Sequence, residues 1–315
     1  MAVEETIEQR DETSPPAPVR PQRAWRWRRW VVLALVAVLA LGVWHERERH
    51  ANPPLVATNS SASVPLPPTD VAPRTEVPAW IRYAVPAAAT NRPRIAVVID
   101  GLGADRAATA RAIALPPAVT LSFVAYADEL ADQTAAARRA GHELLLHIPM
   151  EPVSVSAAMG AYGLGRNMPH DELVRRLRWD LARIDNYVGV DNHMGTAFAD
   201  DAPAMQVVMA ELKRRGLLYL DARAVPTVPV AVAARNAGVP YAARDIFLDG
   251  EQAAVAVDAR LAQLVTLARE RGSAITIGHP HEATLVALQR WLPTLSRQGV
   301  VLVPLTAVVK VSGGS

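Results

Sequence analysis

The chain has no cysteine among its 315 residues. This excludes disulfides, thiolate metal sites and a cysteine nucleophile, and is compatible with an oxidising compartment. Aromatic residues are scarce, at 5% with three phenylalanines, so a core must be built from Ala, Val, Leu and Ile. A strong charge imbalance is missing as well, since 33 basic side chains face 31 acidic ones. Part of the basicity is local, because Arg23, Arg26, Arg28 and Arg29 sit directly before an apolar run. Nucleic acid is therefore not expected as a partner.

An apolar run as long as the hydrocarbon core is thick is also lacking. The apolar run at residues 30–44 would make a helix of roughly 22 Å, short of a hydrocarbon core of about 30 Å. Its basic flank fits either a cleaved signal peptide or an uncleaved signal anchor. Gly42, Val43 and Trp44 lead straight into His45, Glu46 and Arg47 without a small-residue cleavage site, which favours the anchor. Trp25, Trp27, Trp30 and Trp44 would then sit at the two interfaces. The expected organisation is a disordered cytoplasmic tail over 1–22, a basic flank and transmembrane anchor over 23–45, a Pro/Ala/Ser-rich linker over 46–92 and one folded domain over 93–310. In a Gram-negative cell this puts residues 30–44 in the inner membrane, with the amino terminus in the cytoplasm and the folded domain in the periplasm.

Within that domain, eight apolar runs read as buried strands: 95–100, 119–124, 143–150, 188–193, 217–221, 239–248, 274–279 and 300–305. Most are followed by helix-like segments. This alternation implies an α/β fold with a mainly parallel sheet, either open or closed into a barrel. Ligands in such folds bind beyond the carboxyl ends of the strands. Those ends carry Asp100, His147, Asn192 with His193, Asp221, Asp249, and His279 with His281. Histidines on three different strand ends, with aspartates among them, favour a metal or acid–base site over three separate structural histidines. Imidazole and carboxylate ligands suit zinc and related divalent ions. Gly101-Leu102-Gly103 after the first strand weakly suggests a dinucleotide loop, but Arg106 occupies the third glycine position.

Other features read structurally. Residues 173–184, with Arg175, Arg176, Arg178 and Arg183, suit a covering helix with a basic outer face. Met205, Val208, Met209 and Leu212 have core-helix spacing, Asp200 and Asp201 before Pro203 mark a helix start, and residues 162–167 read as a loop over the sheet end. Asp245 and Asp249 either line the site or terminate a strand.

Residues 98–103, 141–152, 189–195, 220–223 and 277–281 together resemble the divergent polysaccharide deacetylase family of bacterial envelope proteins. The resemblance implies a distorted (β/α) barrel of seven to eight mostly parallel strands, related to enzymes that remove acetyl groups from N-acetylated sugars with a divalent metal, zinc being expected. Relatives carry two adjacent aspartates where this chain has Asp100 and Gly101. His147 matches the first histidine of a His-x-x-x-His motif, and Glu151 stands where the second would be. His193 could restore the set, giving Asp100, His147 and His193 as metal ligands. His279 matches the late histidine that acts as general acid, Asp221 or Glu151 would supply the base, and Asn192 and His281 would contact substrate. The implied substrate is an N-acetylated polysaccharide or peptidoglycan. The alternative is an inactive barrel serving as a membrane-anchored module that binds glycan or an envelope protein partner.

Overall fold

The apolar runs form one parallel sheet in the computed structural model, which describes residues 77–154, 162–222 and 228–309. The tail, the apolar run at 30–44, the linker as far as residue 76 and Arg223 lie outside the described residues. Among the described residues, no helix is long and apolar enough to cross a membrane.

A short helix, α1 (Ala79–Arg82), precedes β1 (Arg94–Leu102). Then come α2 (Arg106–Ile113), β2 (Thr120–Val124), α3 (Leu130–Arg139), β3 (Leu144–Met150), α4 (His170–Leu181) and β4 (Gly189–Met194). The second half runs α5 (Ala202–Arg215), β5 (Leu218–Asp221), α6 (Val228–Ala237), β6 (Tyr241–Ala243), β7 (Ile246–Phe247), α7 (Ala254–Arg271), β8 (Ser273–Gly278), α8 (Glu282–Trp291) and β9 (Val301–Leu302). The strand order is β6-β5-β4-β3-β2-β1-β8-β7, with β9 pairing β1 as well. Asp105 caps α2 by accepting from Ala107 N and Ala108 N, and Asp201 caps α5 by accepting from Ala204 N.

The sheet is a curled, incompletely closed barrel. The sequence reads 239–248 as one strand; the structure splits it into β6 and β7 at opposite edges of the strand order. Arg244 and Asp245 are the break. Arg244 N donates to Asp221 O beside β5, whereas Asp245 accepts from Ile275 N and donates its own N–H to Ile275 O beside β8. The chain thus crosses from one edge to the other, and the described residues show no ladder joining β6 to β7.

Side-chain alternation divides the core in two. Ile95, Val97 and Ile99 face outward into the cluster under the helices, with Leu173 and Leu177 of α4 and Met205, Val208, Met209 and Leu212 of α5. Ala96, Val98, Leu145, Leu218, Leu220 and Ile275 face inward and form a second cluster, against which Trp80 and Tyr83 pack near the amino ends of the strands. Partial burial of those two aromatic rings accounts for the helical turn α1 in the last part of the proline-rich stretch.

Close packing makes Gly189 indispensable. A Cβ there would lie 2.4 Å from Leu218 O and 2.5 Å from Leu218 Cγ. Gly189→Ala should therefore lower stability by about 1–3 kcal/mol, read as a lower denaturation midpoint. A midpoint equal to that of the unaltered chain would contradict this close approach.

Candidate active site

The inward rows continue upward from the apolar cluster and turn polar at the carboxyl ends. On β1, Ala96 and Val98 are followed two residues on by Asp100; before and along β3, Glu143 and Leu145 by His147; on β8, Ile275 and Ile277 by His279. The row on β4 is Gly189, Asp191 and His193. One period-2 pattern thus builds both the apolar interior and the polar group above it.

His147, on a strand buried along its whole length, is the centre of that group. Its Nδ1 lies 2.9 Å from Asp191 Oδ2, its Nε2 3.0 Å from His193 Nδ1, and the same Nε2 4.0 Å from Asp100 Oδ2. From the other side, His279 Nε2 approaches Asp100 Oδ1 at 3.5 Å. His279 Nδ1 is 3.1 Å from Asp249 Oδ1, and Asp249 Oδ2 accepts from His279 N and from Thr284 Oγ1. Asp100 of β1, His147 of β3 and His279 just after β8 are thus drawn together.

These distances suit a metal centre. With metal–ligand bonds of about 2.0–2.1 Å, two ligands of one tetrahedral ion lie roughly 3.3 Å apart, close to the spacing of His147 Nε2 and His193 Nδ1. Asp100 Oδ1 is buried and has no hydrogen-bond partner, a costly state that a cation would relieve. Ligand atoms of Asp100, His147 and Asp191 lie within 4.8 Å of one another, as do those of Asp249, His279 and His281. In each of these groups one carboxylate already holds a histidine Nδ1, Asp191 that of His147 and Asp249 that of His279. His193 belongs to neither group, although its Nδ1 lies 3.0 Å from His147 Nε2.

Burial and neighbouring charges set the protonation of the group. Burial raises the pKa of Asp100, only partly offset by His147 and His279. Burial alone would depress His147 and His279; the nearby carboxylates, Asp191 and Asp100 for the first and Asp249 and Asp100 for the second, reverse the sign and raise both. His193 is lowered to about 4 by burial and by the charges of His147 and His279. It is therefore neutral at neutral pH, as a metal-bound imidazole must be. Asp249 is held low despite its burial, because it accepts hydrogen bonds from His279 and Thr284.

The remaining sequence-derived residues have other partners. Glu151 accepts from Arg166 through its backbone N at 2.6 Å and its Nη2 at 3.1 Å. Asp221 follows the inward Leu220 and so leaves the inward row; it accepts from Tyr241 Oη at 2.8 Å. Asn192 donates from Nδ2 to Met194 O, and its Oδ1 accepts from Ala222 N and Tyr219 Oη. These bonds clamp the turn in which Met194 adopts a φ of 59°, just past His193. His281 lies beside His279 with ring centroids 5.3 Å apart, its Nε2 3.1 Å from Gln252 Nε2. Gly101 has a φ of +72°, and a Cβ there would meet only His279 Cδ2, at 3.5 Å.

Sequence reasoning assigned no role to Asp191 or Ser122 and left Asp249 undecided. Asp191 had a usable signal, since it stands two residues before His193 on one strand and shares its face.

Known proteins resemble this chain. Residues 97–309 match the model of the divergent polysaccharide deacetylases. An uncharacterised Escherichia coli K12 protein, YibQ, is 32% identical over 202 residues, covering 64% of this chain and 63% of its own length. The chain thus matches somewhat under two thirds of that relative. An uncharacterised Haemophilus influenzae protein is 30% identical over 202 residues, 64% of this chain and 72% of its own. The crystal structure of an uncharacterised Agrobacterium tumefaciens C58 protein superposes with a TM-score of 0.72 at 32% identity, covering 74% of this chain and 96% of that one. A putative cellobiose-phosphate cleavage protein from Enterococcus faecalis V583 shares the fold alone, with a TM-score of 0.50 at 13% identity, covering 70% of this chain and 100% of that one. With a family match spanning nearly the whole folded region and a site assembled from the motifs that first suggested it, the chain belongs to the divergent polysaccharide deacetylase family.

Proposed function

We propose that the protein is a metal-dependent deacetylase-like hydrolase acting on an N-acetylated envelope polysaccharide, tethered in the inner membrane by residues 30–44 with its folded domain in the periplasm. The observation that carries this reading is the convergence of His147 Nε2 and His279 Nε2 on the buried Asp100 carboxylate, with His193 Nδ1 3.0 Å from the same His147 nitrogen. Asp100, His147 and His193 would hold a divalent ion, zinc being the expected one. When bound, that ion would polarise the acetamide carbonyl and activate water.

The chain's own groups supply the proton. Asp249 accepts from His279 Nδ1, which leaves Nε2 directed at the centre. The upward shift of His279 favours a proton on Nε2 near neutral pH, ready for delivery to the departing sugar amine. Asn192 acts through the turn behind His193, and His281 borders the approach to His279.

One observation favours the second reading, an inactive glycan- or protein-binding module. Among the described residues other than its chain neighbours, only His279 Cδ2 lies within 4 Å of a Cβ at Gly101, and Glu151 is engaged by Arg166. The purified full-length chain, exposed to trace zinc, separates the readings. About one equivalent of zinc with acetate release from peptidoglycan or another N-acetylated glycan is the expected result. Zinc retained without acetate release would favour the module, and a folded protein that binds no divalent ion would overturn the hydrolase.

A further inference from the structure

Asp191 does more than sit near the histidines. It is fully buried, and each of its oxygens has a partner on a different strand. Oδ2 faces His147 Nδ1 on β3 at 2.9 Å, and Oδ1 accepts from the Ser122 hydroxyl on β2. His147 and Asp191 are also paired across the β3–β4 ladder. The Ser122 bond reaches from β2 to β4 across β3, on the concave side of the sheet, so three adjacent strands are fastened at the level of the site.

We propose that Asp191, held by Ser122, is a positioning residue that commits His147 to presenting Nε2 to the metal centre. A neutral imidazole has one N–H and one lone pair, and an ionised carboxylate only accepts. With Asp191 in front of Nδ1, the N–H must lie there, which leaves the Nε2 lone pair free to coordinate. A carboxylate in this place also fixes the ring plane and raises the basicity of the ligand. Asp191 is accordingly not a metal ligand, although its oxygens lie within ligand distance of the cluster. The Ser122 hydroxyl holds the other carboxylate oxygen and would disfavour its turning toward a bound ion.

The inference rests on the metal-centre reading, and its first readout is taken without metal so that the two can fail separately. Long-range ¹H–¹⁵N spectra of the metal-free full-length chain, at a pH where the His147 imidazole is neutral, should show the proton on Nδ1. A proton on Nε2 overturns the inference whatever the protein later binds. In Asp191→Ala the Nδ1–H preference should disappear, and zinc alone, titrated against a chelator, should bind about 10–100-fold more weakly. An unchanged tautomer and zinc Kd in a folded Asp191→Ala protein would overturn it too. Should that variant not fold, Ser122→Ala takes its place, with a smaller loss of zinc affinity in the same direction expected and no loss counting against the inference. If the unaltered chain binds no zinc, the metal reading falls, and the tautomer of His147 still decides the role of Asp191.

Discussion

His147→Asn is expected to weaken zinc binding by roughly 10²–10³-fold while leaving the fold in place. The asparagine amide nitrogen lies near the former Nδ1 and can still donate to Asp191, so the buried carboxylate keeps its partner. What disappears is Nε2, the atom 3.0 Å from His193 Nδ1 and 4.0 Å from Asp100 Oδ2. Structural zinc sites are worth about 10–16 kcal/mol; shared over three or four ligands, one ligand accounts for about 3–4 kcal/mol, or 10²–10³-fold in Kd. Alanine would be the poorer choice, because it strands Asp191 and Asp100 in the interior. Chelator competition measures the affinity and a denaturant titration measures the fold. Stoichiometric zinc at unchanged affinity in His147→Asn would remove His147 from the ligand set. His279→Asn supplies the contrast: zinc should be retained and acetate release lost, since this side chain is assigned the proton and not the ion.

Much of this arrangement was legible in the sequence because β-strands alternate strictly. An apolar run that stops on His or Asp at an inward position marks a site, and Val98 to Asp100, Leu145 to His147 and Ile277 to His279 all did so. Two features were hidden for physical reasons. Hydropathy registers 239–248 as one run; only the hydrogen bonds of Arg244 and Asp245 to different strands show where it breaks. Asp191 looked like one more polar residue beside Asn192 and His193, since its importance lies in a pairing across β3–β4 and a Ser122 bond across three strands. Neither is local in sequence. Asp221 illustrates the reverse: it ends β5, much as His279 directly follows β8, yet its parity sends it off the inward row and toward Tyr241.

Glu143 should prove the most costly polar residue to truncate outside the site. It is fully buried at the opposite end of the inward row from His147. Oε1 accepts from Thr306 N at 3.1 Å and Thr120 Oγ1 at 3.3 Å, and Oε2 accepts from Thr306 Oγ1 at 2.5 Å and Val85 N at 3.4 Å. One carboxylate thereby joins β2, the segment after β9 and the segment before β1. Glu143→Ala leaves these donors buried without an acceptor, at about 1–3 kcal/mol for each that water does not reach, so a total loss of several kcal/mol is expected. Glu143→Gln should be far milder, because its single oxygen still serves Thr306 N and Thr120 Oγ1 while its amide can donate to the Thr306 hydroxyl. The two variants also differ from the unaltered chain in pH dependence. Burial raises the Glu143 pKa despite the four hydrogen bonds, so the folded state holds this proton more tightly than the unfolded one. The resulting stability is full below the unfolded value of about 4.3 and is lost as pH rises through the folded pKa. Relative to the unaltered protein, Glu143→Gln should therefore gain stability as pH rises through that window, where glutamine has no proton to lose. Denaturant midpoints of the two proteins measured in parallel from pH 4 upward test this, and a difference that stays constant with pH would show that Glu143 is ionised as readily in the fold as in the unfolded chain.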